Sequence, residues 1–197
     1  MRVWFIVICL LLIGCQKAAY ENIPADGTIL AFGDSLTYGY NVDTAQSYPA
    51  VLARLSGRKV INAGVSGETT VDGLGRFKKL LDERHYDFVI IFEGGNDILR
   101  NSSAAQTKAN LAKMINLARQ KNIPSLLIAV PEKSIFVRDA PFYKELADAH
   151  GVPLMQAVVG DLLTQPQYKS DRVHFNQAGY EKLAKAIYAK MKRLGAL

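Results

Sequence analysis

The chain predicts an α/β fold, a parallel sheet covered by helices on both faces. Three observations support this. Apolar runs without polar alternation recur at Ile29–Phe32, Val60–Ala63, Phe88–Phe92 and Ser125–Val130, the composition of strands buried on both sides. Segments of helical period lie between them. Residues suited to chemistry fall just after the runs, where open α/β sheets place their sites.

In chain order, Ile29–Phe32 forms the first strand and stops at Gly33-Asp34-Ser35-Leu36. Val60–Ala63 forms the second and leads to Val65-Ser66-Gly67-Glu68. Phe88–Phe92 forms the third and stops at Glu93-Gly94-Gly95-Asn96-Asp97. Leu111, Met114, Ile115 and Ala118 then share one face of a helix before the fourth strand at Ser125–Val130. Another helix ends at His150, with Gly151 able to take the left-handed cap. Pro153–Met155 is a short fifth strand. Tyr180, Leu183, Ala184, Ile187, Tyr188 and Met191 make a single stripe on the last helix, with Asn176 as its N-cap.

Residues 1–14 read as a leader outside the fold. After Met1-Arg2, Val3 to Ile13 is an unbroken apolar stretch, too short to span a bilayer comfortably. Leu12-Ile13-Gly14-Cys15 follows, and it resembles the bacterial lipobox, in which the leader is cut before a cysteine that is then acylated. The other readings are an ordinary leader with a chance cysteine, or an uncleaved anchor. Lipidation of Cys15 would place the protein in the bacterial cell envelope, periplasmic, with Gln16 compatible with outer-membrane sorting. Residues 15–27 then form the lipidated cysteine and a polar tether, and residues 28–197 a single domain. Cys9 leaves with the leader, so the mature domain has no free thiol, which excludes cysteine catalysis and thiolate metal sites. The formal charge is +6, and much of the basic excess is Lys182, Lys185, Lys190, Lys192 and Arg193. The solvated face of the last helix is the preferred reading, with attraction to anionic headgroups as the weaker one. No aromatic-interleaved basic stripe points to nucleic acid. A monomer is expected.

Serine needs a base and a place to hold the oxyanion. Of the three histidines, His85 lies in a charged helix end and His150 precedes Gly151 at another, which leaves His174 in Asp171-Arg172-Val173-His174. The spacing lets the Asp171 carboxylate accept from the far imidazole nitrogen and fix its tautomer. Taken alone, Asp-x-x-His is more often a surface loop pair. Two glycines before Asn96 allow close backbone approach, and its amide can donate to an oxyanion, although such an asparagine alone is more often a turn residue. Gly67 offers an unobstructed N–H, or is a plain strand-to-helix turn. Asp34 and Asp97 read as holding their own turns through Asx-type bonds. Ser66 is a rival nucleophile in Gly64-Val65-Ser66-Gly67-Glu68, but Glu68 stands where the nucleophile elbow needs glycine.

Together these segments resemble the SGNH hydrolases, the GDSL esterase/lipase family. Gly33-Asp34-Ser35-Leu36 is similar to its first block, Gly67 to the second, Gly94-Gly95-Asn96-Asp97 to the third and Asp171-Arg172-Val173-His174 to the fifth. The bacterial periplasmic thioesterase/lysophospholipase/arylesterase branch is the nearest in pattern, through Gly33 to Tyr40 and Val152-Pro153-Leu154. The resemblance implies a three-layer α/β/α flavodoxin-like fold with a five-stranded parallel sheet. It implies Ser35 as nucleophile, His174 as base and Asp171 as orienting acid. The Ser35 N–H, the Gly67 N–H and the Asn96 side chain would form the oxyanion hole, with no metal and no organic cofactor. Arg172 replaces the glycine of the usual fifth block, Phe175 its proline, and Glu93 an apolar residue before the paired glycines.

The expected function is a serine ester hydrolase working through an acyl-enzyme on a small acyl ester, lipid ester or thioester. Pro131 to Pro141, with Ile135, Phe136 and Val137, is the expected acyl pocket, joined by Asp34 and Arg172. The alternatives are an O-acetylesterase on envelope glycans, or a non-catalytic lipid-anchored binding protein on the same fold. A nucleotide-binding version lacks the phosphate-loop and dinucleotide glycine patterns.

Overall fold

The computed structural model describes residues 20–134 and 137–197. Five strands form one parallel sheet: β1 (Thr28–Gly33), β2 (Lys59–Gly64), β3 (Phe88–Phe92), β4 (Ser125–Ile128) and β5 (Leu154–Met155). Their order is β2-β1-β3-β4-β5, with Gly33 of β1 in register with Gly64 of β2 and Phe92 of β3. Among the described residues, eight α-helices connect and cover them: α1 (Ser35–Tyr38), α2 (Tyr48–Ser56), α3 (Thr70–Glu83), α4 (Gly95–Leu99), α5 (Ala104–Gln120), α6 (Phe142–His150), α7 (Val158–Leu163) and α8 (Gln177–Arg193). Helix α2 packs with α8, and α5 packs with α3 and α6. These are the two outer layers that right-handed crossovers produce when the strand order reverses at β1.

The apolar runs became strands because both their faces are covered. All of Phe88–Phe92 and Ser125–Ile128 is buried. β2 departs from expectation. Val60–Ala63 was expected to be buried on both faces, yet Val60, Ile61 and Ala63 are only half-buried, and Lys59 and Asn62 are exposed. It is the sheet edge, with a neighbour on one side only. The last helix forms as its stripe predicts. Asn176 caps it by accepting from the Gly179 N–H at 3.0 Å, and Tyr180, Leu183, Ala184, Ile187 and Met191 are buried.

The segment 15–27 also departs from a free tether in its described part. The Tyr20 N–H donates to the Leu194 carbonyl and the Ile23 N–H to the Ala196 carbonyl, each at 2.9 Å. The Ile23 side chain is buried in the core. An aromatic ring at 20 and an isoleucine at 23 have apolar area to bury, and the open edge beside the end of α8 accepts both. The leader and Cys15 lie outside the described residues. Among the described residues, no helix is long and apolar enough to cross a membrane.

Candidate active site

The strand order reverses between β1 and β3, and the turns that leave their carboxyl ends meet there. Ser35 opens α1 directly after β1. Asp34 caps that short helix by accepting from the Leu36 N–H at 3.0 Å. This turn presents the Ser35 hydroxyl to a loop 139 residues further on, where Ser35 Oγ and His174 Nε2 are 3.0 Å apart. His174 Nδ1 lies 2.8 Å from Asp171 Oδ2. The other carboxylate oxygen accepts the Val173 and His174 N–H groups at 2.8 and 2.9 Å. With its proton on Nδ1, the imidazole donates to Asp171 and accepts from Ser35. Burial works to raise the Asp171 carboxyl, but the Val173 N–H, the imidazole and the His174 N–H together hold it below the usual range.

The third turn brings Asn96 to the same place. Gly94 has φ +105°, and a Cβ there would meet the Tyr143 hydroxyl at 2.6 Å, so only glycine lets the chain turn here. The Asn96 amide donates to the Glu68 carbonyl at 2.9 Å and to Asp34 Oδ2 at 3.3 Å. Gly67, at φ +80°, completes the second turn. The Arg100 guanidinium holds that turn by donating to the Gly67 carbonyl at 2.8 Å. Among the described residues, the Gly67 and Ser35 N–H groups have no hydrogen-bond acceptor in the protein.

Beneath the site is a cluster of carboxylates. Glu68 forms a two-pronged ion pair with Arg76, whose guanidinium lies 4.2 Å from the centre of the Phe32 ring. Asp97 was expected to hold its own turn. It instead reaches across to α3 and α5, where Oδ2 accepts the Thr70 N–H at 2.8 Å and Oδ1 the Thr70 and Thr107 hydroxyls at 2.6 and 3.2 Å. Burial pushes the Asp34 carboxyl up to about 6. Glu93 is fully buried, and neither carboxylate oxygen has a partner among the described residues. Burial drives its carboxyl well above the usual range, and Asp34, Glu68 and Asp97 push the same way.

A cavity of about 830 Å³ opens onto Ser35 and His174. Ile98, Leu99, Val130, Val137, Val159 and Leu163 give it apolar walls, and Lys133 and Arg172 are among its charged lining. Of the expected pocket residues, Asp34, Val137 and Arg172 line it, while Ile135 and Phe136 lie outside the described residues. Ser66 also lines the cavity, but it is Ser35 that meets the imidazole.

Two contacts were missed from the sequence. Asn41, in the left-handed region at φ 67°, donates to Asp171 Oδ2 at 3.2 Å. The Tyr40 ring packs against His174 with centroids 4.5 Å apart and the planes tilted by 39°, its carbonyl held by the Tyr180 hydroxyl. An asparagine just after Gly39-Tyr40 was the one available signal, since asparagine tolerates that backbone region better than most residues. Chemically, the arrangement can take a proton from the serine, hold an imidazolium against a carboxylate, and receive an oxyanion among N–H donors.

Residues 31–182 match the GDSL-like Lipase/Acylhydrolase family. An arylesterase of Vibrio mimicus is 33% identical over 175 residues, covering 84% of this chain and 86% of that protein. Thioesterase 1/protease 1/lysophospholipase L1 of Escherichia coli K12 is 30% identical over 161 residues, covering 78% and 77%. A crystal structure of TesA superposes with a TM-score of 0.75 at 28% identity, covering 85% of this chain and 99% of that one.

Proposed function

The chain belongs to the GDSL-like lipase/acylhydrolase family and is an ester-bond hydrolase, and from that premise we propose that it works through a Ser35–His174–Asp171 triad and an acyl-enzyme. The observation that carries this reading is the unbroken path from Asp171 to His174 to Ser35, with links of 2.8 and 3.0 Å. As Ser35 Oγ bonds to the acyl carbon, its proton passes to His174 Nε2, and Asp171 stabilises the imidazolium. The carbonyl oxygen takes the negative charge and is held by the Ser35 and Gly67 N–H groups and by Asn96. Asn96 supplies its donor by giving up the longer of its two bonds, the 3.3 Å contact to Asp34. The imidazolium then protonates the leaving oxygen or sulfur, and water repeats the sequence to free the acid and restore Ser35.

The cavity supports an acyl chain rather than an acetyl group. Its volume of about 830 Å³ and its aliphatic walls suit a single extended chain. An acetyl group would leave most of that apolar surface unfilled, which disfavours the glycan O-acetylesterase. Among the relatives named above, the thioesterase and lysophospholipase names fit this shape, and we assign this chain the same range of acyl esters. We place the protein in the cell envelope, held by a lipid on Cys15, on the strength of Val3 to Ile13 followed by Leu12-Ile13-Gly14-Cys15.

Hydrolysis of a p-nitrophenyl ester series from acetyl to palmitoyl, by the full chain beside its Ser35→Ala variant, tests the mechanism. The variant is expected to lose about 10⁵-fold in kcat or more, and the wild type to prefer chains longer than acetyl. Turnover that survives Ser35→Ala would sink the nucleophile assignment.

A further inference from the structure

Helix α8 links the two ends of the molecule. Its N-cap, Asn176, stands two residues after His174. Its other end is Leu194, whose carbonyl accepts the Tyr20 N–H. The helix has 17 residues, so it spans about 25 Å. Other contacts put Tyr20 at the same far edge. Its hydroxyl donates to the carbonyl of Ser125, the first residue of β4, at 2.9 Å, and its ring packs edge-on against Phe88, the first residue of β3. The chain therefore enters at the amino ends of the strands, and the active site lies at their carboxyl ends.

The entry edge is also basic. Lys190, Lys192 and Arg193 occupy the last turn of α8, and none forms an ion pair among the described residues. Arg58, just before β2, lies on the same amino-end face of the sheet, its Nε donating to the Ile23 carbonyl at 3.1 Å. Glu21 and Asp26, on the entering segment, and Asp87, whose Oδ2 accepts the Thr28 N–H at 2.7 Å, oppose this charge only in part. Part of the basic turn is explained by the negative end of a helix dipole. The dipole does not explain why the chain's own entry point lies against it.

We propose that the amino-end edge of the sheet, built from Tyr20–Ile23, Arg58 and the basic last turn of α8, rests on an anionic bilayer and turns the active site away from it. The proposal rests on the lipid at Cys15 assigned above. Five chain steps separate Cys15 from Tyr20, a reach of about 17 Å at most. That falls short of the length of α8, so a lipid on Cys15 cannot lie in the bilayer while the cavity mouth faces the same surface. The substrate class follows: acyl esters that are soluble or presented by another surface, rather than esters resident in the bilayer that bears the enzyme.

The test uses the full lipidated chain in vesicles of phosphatidylethanolamine and phosphatidylglycerol containing a nitroxide-headgroup lipid. Mature chain acylated at Cys15 has no other thiol, so Lys192→Cys and Val71→Cys each accept a single fluorescent label. Val71 is exposed in the first turn of α3, at the site end. Quenching several-fold stronger at position 192 than at 71 is expected, and equal or reversed quenching would overturn the orientation. A long Gly/Ser insertion between Gln16 and Lys17 should raise hydrolysis of a non-exchanging lipid ester in the same vesicles by about tenfold, by freeing the tether. It should leave a soluble p-nitrophenyl ester unaffected. Equal lipid-ester rates with both tethers would also count against the proposal. A chain recovered without acyl mass on Cys15 overturns it while leaving the hydrolase intact. Loss of soluble-ester turnover in a folded, labelled chain would instead strike the hydrolase reading and leave the orientation standing.

Discussion

The two halves of the active site are built differently. The Ser35 half sits on turns that leave buried strands, and Ser35 itself is only 9% exposed. Its neighbours Asp34, Glu68, Glu93 and Asp97 are all buried and bonded into, or crowded against, the core. The His174 half is a surface loop, with the Asp171 side chain 42% exposed. That loop is held by local bonds to its own N–H groups, by Asn41 and by the Tyr40 ring. On the strand side, then, the groups that support Ser35 share their atoms with the core, and a change in those carboxylates registers as lost stability. On the loop side the two separate, and a change registers as lost rate.

After loss of the Ser35 nucleophile itself, the largest expected effect lies on the loop side. Asp171→Asn should lower kcat by about a thousandfold or more, by losing the tautomer that leaves Nε2 free to accept. Its melting temperature should stay near that of the wild type, because the residue is exposed. A matching loss of stability would erase the distinction between the halves. Next comes Asp97→Ala on the strand side, which strands the buried Thr70 N–H and two hydroxyls. It should cost about 3 kcal/mol in denaturant unfolding, and activity should fall only as the folded fraction falls.

Glu93 sharpens the comparison through pH. Its pKa in the folded state stands above the unfolded value. The carboxyl's contribution to stability is therefore complete below the unfolded pKa and is lost as pH rises toward the folded one. Glu93→Met should remove a downward slope approaching 1.4 kcal/mol per pH unit. The variant gains most at neutral pH, as unfolding curves at about pH 5 and pH 7 would show. A slope remaining below about 6 belongs to Asp34. An unchanged pH profile would mean that Glu93 is ionised in the fold. The smallest effect is expected for Asn41→Ala. It removes two exposed bonds to the loop, to Ser170 Oγ and Asp171 Oδ2, and should slow turnover about threefold, with KM unmoved. A loss as large as that of Asp171→Asn would make Asn41 indispensable to the loop.

Much of this could be read along the chain. The runs at Ile29–Phe32 and Phe88–Phe92 specify strands because each residue's apolarity registers its own burial, and the stripe from Tyr180 to Met191 specifies a helix for the same reason. Ser35 and Asn96 were visible as turns after those strands, and Gly67 as one after Val60–Ala63. Less legible was anything that depends on neighbours in space. The apolar residues of β2 look like those of β1, and only the strand order makes β2 an edge. Glu93 could be noted as unusual, but that its carboxylate has no partner among the described residues follows from what surrounds it. Asp97 looked like a local turn residue, and its partners proved to lie on α3 and α5.

The sequence by itself determined the strand and helix periods, the turn residues and the chemical types available at them, because these depend on separations of a few residues. Tertiary structure decided that Ser35 and His174 meet across 139 residues of chain. It decided too that Asn41 and Tyr40 brace the loop, and that the chain enters at the edge opposite its active site. Such pairings are set by which faces pack together, and no local pattern records the partner of a face.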